Sequence, residues 1–318
     1  MKSILKNIFL ILLVLIATIS CKTLNKNTET TGITSIPVKK TLLKHTVLSD
    51  GHPMAVWEKK AENPKGFILF VHGRTWSGVP DFDLQVDGEN LSLMDGLVAQ
   101  GYTTFAVDLR GYGGTPRDAT QWATPNGASK DILNVLNWIS VQNDDSKVHL
   151  FGWSMGSTLS LLATQQNPNR IASLTVFGYW KDLDLEIPES QSDIQLQMSI
   201  NTAENAASDF ITPGSISQKA IETYVKAALE SDPIRVDWKD ENEYNDIDPS
   251  LITVPVLILQ GELDPISPTT NQAKLFTRLK SSDKSWVVIS GGDHAAFMET
   301  PRKNFIHSFT AFIDRFND

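Results

Sequence analysis

The chain lacks several features that would point to common classes of function. Its 318 residues include a single cysteine, Cys21, which excludes internal disulfide bonds and cysteine metal sites. Positive charge is also scarce: 28 Lys plus Arg against 37 Asp plus Glu give a net charge of −9, which disfavours binding to nucleic acid. No metal-binding or nucleotide-binding motif is present, so we expect neither a metal nor another cofactor.

The amino terminus has its own pattern. Residues 8–17 are apolar, too short a run to span a bilayer but typical of a secretory signal. We predict a signal peptide over residues 1–20 and a flexible tether over residues 21–41. The pattern resembles a bacterial lipoprotein signal, which implies that Cys21 is lipidated and anchors the protein to a membrane of the bacterial cell envelope. Thr18 departs from the leucine usual at its position, and an uncleaved anchor or a plain signal peptide is the alternative.

A serine between glycines is the feature that points to chemistry. Gly152, Ser154 and Gly156 form a G-x-S-x-G pattern after the apolar run 148–151, and small residues alternate with apolar ones after it. This pattern predicts a strand, a tight turn and a buried helix, with glycine where a side chain would not fit. The alternative is a serine in an ordinary glycine turn. The flanking signals favour Ser154 as a nucleophile.

A serine nucleophile needs a base to take its proton and an acid to orient that base. The apolar run 254–261 predicts a buried parallel strand, and Asp264 lies in the loop just after it. Residues 286–289 predict another strand, and His294 lies in the loop that follows. Ser154, Asp264 and His294 therefore come in that order along the chain, each after a strand.

Other residues compete for the roles of base and acid. His72 ends a predicted strand but precedes the serine, Glu262 comes two residues before Asp264, and Asp293 is too close to His294 to turn back onto its ring. The remaining histidines fall inside predicted strands or on the last helix, and we interpret them as structural: His45, His52, His149 and His307.

The order serine, acid and histidine at strand ends resembles the α/β-hydrolase superfamily, and the resemblance covers about residues 42–317. Acyl transfer in such proteins needs two backbone N–H groups that bind the oxyanion. Met155 is expected to provide one, because its N–H lies at the positive end of the helix dipole. The resemblance implies Arg74 for the second, with Thr75 or Trp76 as alternatives if the loop is longer.

A second stretch, residues 108–115, also matches the superfamily. The resemblance implies a structural role there, in which Asp108 and Arg110 hold the loop near the mouth of the active site.

Strand and helix signals alternate along the rest of the chain, which predicts a mostly parallel sheet with helices on both faces. An antiparallel pair of strands precedes it, and ligands are expected at the carboxyl ends of the strands. Strands are predicted over 42–48, 53–59, 66–71, 102–107, 148–151, 171–177, 254–261 and 284–289, and helices over about 89–100, 132–139, 268–279 and 302–316.

Residues 181–250 interrupt this alternation. They contain no apolar strand, and their clearest helix follows a candidate capping box formed by Ser215 and Gln218. The insertion resembles the cap of the superfamily, which implies that it covers the active site. It carries 16 Asp plus Glu against 5 Lys plus Arg. These acids either form a solvated surface or face the pocket, where they would favour neutral or cationic substrates.

Three functions remain open at this point. The resemblance favours a serine hydrolase that cleaves a small-molecule ester, of the carboxylesterase or lipase kind. A cap rich in carboxylates would also suit an aminopeptidase of the proline iminopeptidase kind, because it could bind a free amino terminus. A non-catalytic tethered binding module is the third interpretation, and the complete set of Ser154, Asp264 and His294 argues against it.

Overall fold

The computed structural model describes residues 41–317. The predicted signal peptide, Cys21 and the tether up to residue 40 lie outside the described residues. Ten strands form within the described part: β1 Leu43–Ser49, β2 His52–Lys59, β3 Gly66–Val71, β4 Tyr102–Val107, β5 Trp122–Ala123, β6 Val148–Trp153, β7 Ile171–Phe177, β8 Asp237–Trp238, β9 Val256–Gly261 and β10 Lys284–Ile289.

Eight of these strands form one sheet in the order β1-β2-β4-β3-β6-β7-β9-β10. The first two pair antiparallel, and β2 pairs antiparallel with β4. Every pairing from β4 to β10 is parallel. The prediction of an antiparallel lead-in followed by a parallel sheet is confirmed. The short strands β5 and β8 form a separate parallel pair.

Helices lie on both faces of the sheet, as expected. They are α1 Gly78–Phe82, α2 Leu93–Val98, α3 Pro125–Gln142, α4 Met155–Gln166, α5 Ala203–Ala207, α6 Gln218–Ser231, α7 Thr269–Arg278 and α8 Arg302–Ile313. Three 3₁₀ turns cover Glu241–Asp246, Pro249–Leu251 and Asp314–Phe316.

Side chains of β3 point alternately into two apolar cores, one on each face of the sheet. Leu69 and Val71 belong to the apolar cluster under α3 and α4, whereas Ile68 and Phe70 belong to the cluster under α2 and α8. Successive side chains of a strand point to opposite faces, so a strand buried on both sides is apolar at nearly every position. The central strands are therefore buried on both faces, and the loops at their carboxyl ends extend from a packed scaffold.

Two predicted details are wrong. The helix expected over about 89–100 begins only at Leu93, because Ser92 is its N-cap and accepts a hydrogen bond from the Asp95 N–H. The N-cap of α6 is Ser217, whose hydroxyl accepts from the Ala220 N–H, and not Ser215. The Ser215 hydroxyl instead donates to Glu299 at 2.6 Å, a tertiary contact that capping patterns do not reveal.

The segment 181–250 contains α5, α6, β8 and part of the 3₁₀ structure, joined by irregular chain. Its strand β8 was not predicted, since a two-residue strand is too short to leave a hydrophobic period. In the part of the chain that the structure describes, no helix is long and apolar enough to cross a membrane.

Candidate active site

Ser154 occupies a strained turn between β6 and α4. Its backbone has φ +55° and ψ −120°, a conformation that costs energy for any residue with a side chain. A Cβ at Gly152 would lie 2.2 Å from the Gly156 carbonyl oxygen, and one at Gly156 would lie 2.2 Å from the Val71 carbonyl oxygen. Both positions therefore require glycine, and the strand, turn and helix predicted around Ser154 are present.

Asp264 and His294 meet in a hydrogen bond. The His294 Nδ1 lies 2.8 Å from the Asp264 Oδ2, and both side chains are almost fully buried. Asp264 also accepts from the Ser267 hydroxyl at 2.6 Å and from the Ile266 N–H at 2.9 Å. Burial acts to raise the pKa of Asp264, but the hydrogen bond and charge of His294, with these other donors, lower it below its usual value. The carboxylate is thus charged and fixed to one ring nitrogen.

The other side of His294 is fixed by the turn that carries the serine. The Trp153 indole N–H, next to Ser154, donates to the His294 carbonyl at 2.7 Å. Gly178, at the end of β7, has φ +67°, and a Cβ there would lie 2.7 Å from the His294 Cε1. The structure therefore brings the loop that carries His294 against the turn that carries Ser154. The His294 imidazole lies so close to Gly178 that a side chain at position 178 would collide with it.

The loop after β3 lies beside Ser154. A Cβ built on Gly73 would lie 3.5 Å from the Ser154 Cβ, so the chain passes the serine in van der Waals contact. His72 is not placed as a base. Its Nε2 accepts from the Leu109 N–H at 3.1 Å, and its Nδ1–H donates to the Gly73 carbonyl at 2.8 Å.

These two bonds define the protonation state of His72 and the direction of the next peptide. Burial lowers the pKa of His72 to about 4, against the opposing effect of its bond to Gly73, so the ring is neutral at neutral pH. Because C=O and N–H of a trans peptide point in opposite directions, anchoring the Gly73 carbonyl also orients the Arg74 N–H. His72 thus acts on the predicted oxyanion loop through the backbone.

The stretch 108–115 supports the same loop. Asp108 accepts from the N–H groups of Gly78 and Gly114 and from the Trp57 indole. The Tyr112 hydroxyl donates to the Arg74 carbonyl and accepts from the Trp238 indole at 2.8 Å. A structural role for this stretch is what the sequence led us to expect.

Arg110 also holds the stretch, through ion pairs with Asp118 and the buried Asp131.

A cavity of about 490 Å³ opens at Ser154. Apolar side chains form most of its lining: Met155, Trp180, Ile187, Pro188 and Ile266. The rest consists of Ser154, Ser190 and the ion pair between Arg74 and Glu241. Segment 181–250 contributes four of these residues, which places part of the insertion over the serine.

The rival acids have other roles. Glu262 is exposed and accepts from the Ser290 hydroxyl and the Gly291 N–H, whereas Asp293 accepts from the N–H groups of Ala295 and Thr212. Within residues 41–317, no group of three or more His, Cys, Asp or Glu residues could hold a metal ion.

Comparison with known proteins agrees with this geometry. Residues 62–301 match the Hydrolase_4 family model, described as serine aminopeptidase, S33. The chain belongs to this family. It is therefore an α/β hydrolase, and its mostly parallel sheet with a serine turn after β6 is the fold of that superfamily.

The relatives of this family member include lipases. Monoglyceride lipase of Rattus norvegicus is 24% identical over 292 residues, which cover 85% of this chain and 90% of that protein. Among solved structures, a bacterial membrane phospholipase A has a TM-score of 0.62 at 18% identity and covers 87% of both chains. The thioesterase domain from the curacin biosynthetic pathway has a TM-score of 0.60 at 16% identity, covering 86% of this chain and 99% of that one. Similarity at these identities to solved structures shows the fold alone.

Sequence reasoning missed several residues that shape the site. Ser267 could have been found, because a hydroxyl three positions after an acid commonly bonds back to it. Tyr112 and Trp153 gave no local signal of their contacts. Glu241 was hidden among the many acids of segment 181–250.

Proposed function

We propose that this α/β hydrolase cleaves an ester through an acyl-enzyme formed on Ser154. The observation that carries the proposal is the hydrogen bond from His294 to the buried Asp264, at the same edge of the sheet as the strained serine turn. A non-catalytic binding module does not need a buried acid bonded to a histidine beside a strained serine turn. Hydrolysis does need this arrangement, because the imidazole must be held in a single tautomer.

Each residue takes one role in the proposed mechanism. Ser154 Oγ attacks the ester carbonyl while His294 Nε2 takes its proton, and Asp264 stabilises the imidazolium that forms. The N–H groups of Met155 and Arg74 bind the oxyanion. His294 then returns the proton to the leaving alcohol, and a water molecule repeats the sequence to release the acid and free Ser154.

The lining of the cavity favours an ester with an apolar acyl group over a peptide amine. An aminopeptidase needs a free carboxylate in the pocket to bind an ammonium group. Glu241, the acid that lines the cavity, is already bound by Arg74. The lipase relatives agree with the same choice, and we propose a carboxylesterase or lipase-like activity.

A panel of substrates tests the choice between ester and amide. We expect purified protein to hydrolyse medium-chain acyl esters, monoacylglycerols included, with a kcat/KM at least about 10²-fold above that for aminoacyl arylamides, since the apolar lining rewards each buried methylene by about 0.8 kcal/mol. A proline arylamide that is cleaved faster than every ester would replace this proposal with the aminopeptidase.

We also propose that Cys21 carries a lipid that holds the protein on a membrane of the bacterial cell envelope. Wild-type protein is then expected in the membrane fraction after a high-salt wash, because several acyl chains bind a bilayer stably. Cys21→Ala should move it out of that fraction, whereas Thr18→Leu should not. An unmodified Cys21 in the mass spectrum of the mature protein would contradict the proposal.

A further inference from the structure

Arg74 and Glu241 form a two-pronged ion pair in the lining of the cavity. The Arg74 Nη1 lies 2.6 Å from the Glu241 Oε2, and its Nη2 lies 2.9 Å from the Oε1. This fork geometry satisfies both carboxylate oxygens at once. Glu241 raises the pKa of the Arg74 guanidinium further above its already high value, chiefly through this hydrogen bond.

Both partners are held in place from outside the pair. The Arg74 backbone is anchored through its carbonyl by Tyr112. Glu241 follows Asp240, which has φ +55° and whose N–H donates to the Ser190 hydroxyl at 2.7 Å. Asp240 thus enters the 3₁₀ turn in the left-handed conformation, which Asp adopts more readily than most residues. The pair is therefore built into the junction between the oxyanion loop and the insertion.

Arg74 and Glu241 are the two charged side chains among the described residues that line the cavity at Ser154. Each is partly exposed, at 41% and 28% of its side-chain surface, so substrate can approach them. An unpaired guanidinium at this place would bind the carboxylate or phosphate of a substrate in the same forked geometry. Glu241 occupies that position instead.

We propose that Glu241 is a specificity-determining residue: it acts as an internal anion that occupies the Arg74 guanidinium and so restricts the enzyme to uncharged acyl groups. The inference rests on the proposed ester hydrolysis and adds the charge of the substrate. It also bears on the alternative in which acids of the insertion face the pocket and favour cations, because the acid that lines the pocket is paired with Arg74.

The test compares an aryl pentanoate with the aryl monoester of glutaric acid, which adds a carboxylate at the end of a chain of similar length. The measured quantity is the ratio of kcat/KM for the anionic ester to that for the neutral ester, at pH 7.5 and low salt. Glu241→Gln should raise this ratio about tenfold or more, because Arg74 becomes free to bind the carboxylate. Arg74→Gln should lower the ratio, since Glu241 is then unpaired.

Two further variants separate a charge effect from damage to the fold. The double variant Arg74→Gln, Glu241→Gln should return the ratio to within about threefold of wild type. Glu243 lies in the same 3₁₀ turn as Glu241 but accepts a hydrogen bond from the Asn126 N–H and binds no arginine among the described residues. Glu243→Gln should therefore leave the ratio unchanged. Near 1 M salt, where the screening length is about 3 Å, the shift in Glu241→Gln should shrink.

The outcomes distinguish this inference from the proposed function. If every variant hydrolyses the neutral ester and all have the wild-type ratio of kcat/KM for the anionic to the neutral ester, the role of Glu241 is overturned. The proposed ester hydrolysis would still stand. Equal shifts in Glu241→Gln and Glu243→Gln would also overturn the role of Glu241. No hydrolysis of either ester by wild-type protein would overturn both. If Glu241→Gln fails to fold, the opposite shift expected in Arg74→Gln still decides the question.

Discussion

Ser154→Ala is expected to lower kcat for ester hydrolysis by about 10⁶-fold, to the residual rate that oxyanion binding alone supports. The reason is that no acyl-enzyme can form without the hydroxyl, and a water molecule in its place is neither held nor activated. The fold should survive, because the Ser154 hydroxyl makes no capping hydrogen bond to the helix that follows it. Single-turnover kinetics and circular dichroism measure the two effects.

Ser160→Ala, in the helix α4 that follows Ser154, is the matched control. Its hydroxyl is buried and has no hydrogen-bond partner among the described residues, so its removal should cost little. We expect Ser160→Ala to retain wild-type turnover. A Ser154→Ala variant with kcat within tenfold of wild type would show that a different residue performs the attack.

Asp264→Asn is expected to lower kcat by about 10⁴-fold with little change in KM. An amide in place of the carboxylate leaves the shape of the loop intact but provides no negative charge opposite the imidazolium. It also favours the tautomer in which the proton lies on the wrong ring nitrogen of His294. The deficit should persist across pH 6 to 9, because it does not arise from titration of the lost group.

Glu262→Gln serves as the control for Asp264→Asn. Glu262 lies two residues earlier on the same loop and bonds to Ser290 and Gly291, away from the histidine ring. Its replacement should change kcat less than about threefold. Comparable losses in both variants would mean that the loop as a whole, and not the Asp264 carboxylate, supports catalysis.

The sequence predicted the parts of the site that depend on local pattern. Apolar runs located the strands before Ser154, Asp264 and His294, and parallel strands bring such loops to one edge of the sheet. The glycines at 152 and 156 predicted a crowded turn. The structure confirms it, because a Cβ at either position would lie 2.2 Å from a backbone oxygen.

The remaining features depend on contacts between distant segments, which no local pattern records. Arg74 and Glu241 are separated by 167 positions, and their pairing follows from the path of the insertion over the sheet. Ser215, which the capping pattern favoured, likewise bonds to Glu299, 84 positions further along the chain, while Ser217 caps α6. Charge counting alone could not show which acid of segment 181–250 lines the cavity.

Mass spectrometry of the protein after reaction with a fluorophosphonate tests the central claim most directly, because only a serine hydroxyl activated by His294 should attack the phosphorus quickly. The account predicts one adduct per chain, located on the peptide that contains Ser154, and none on Ser154→Ala. An adduct on a different residue, or equal labelling of wild type and Ser154→Ala, would contradict it.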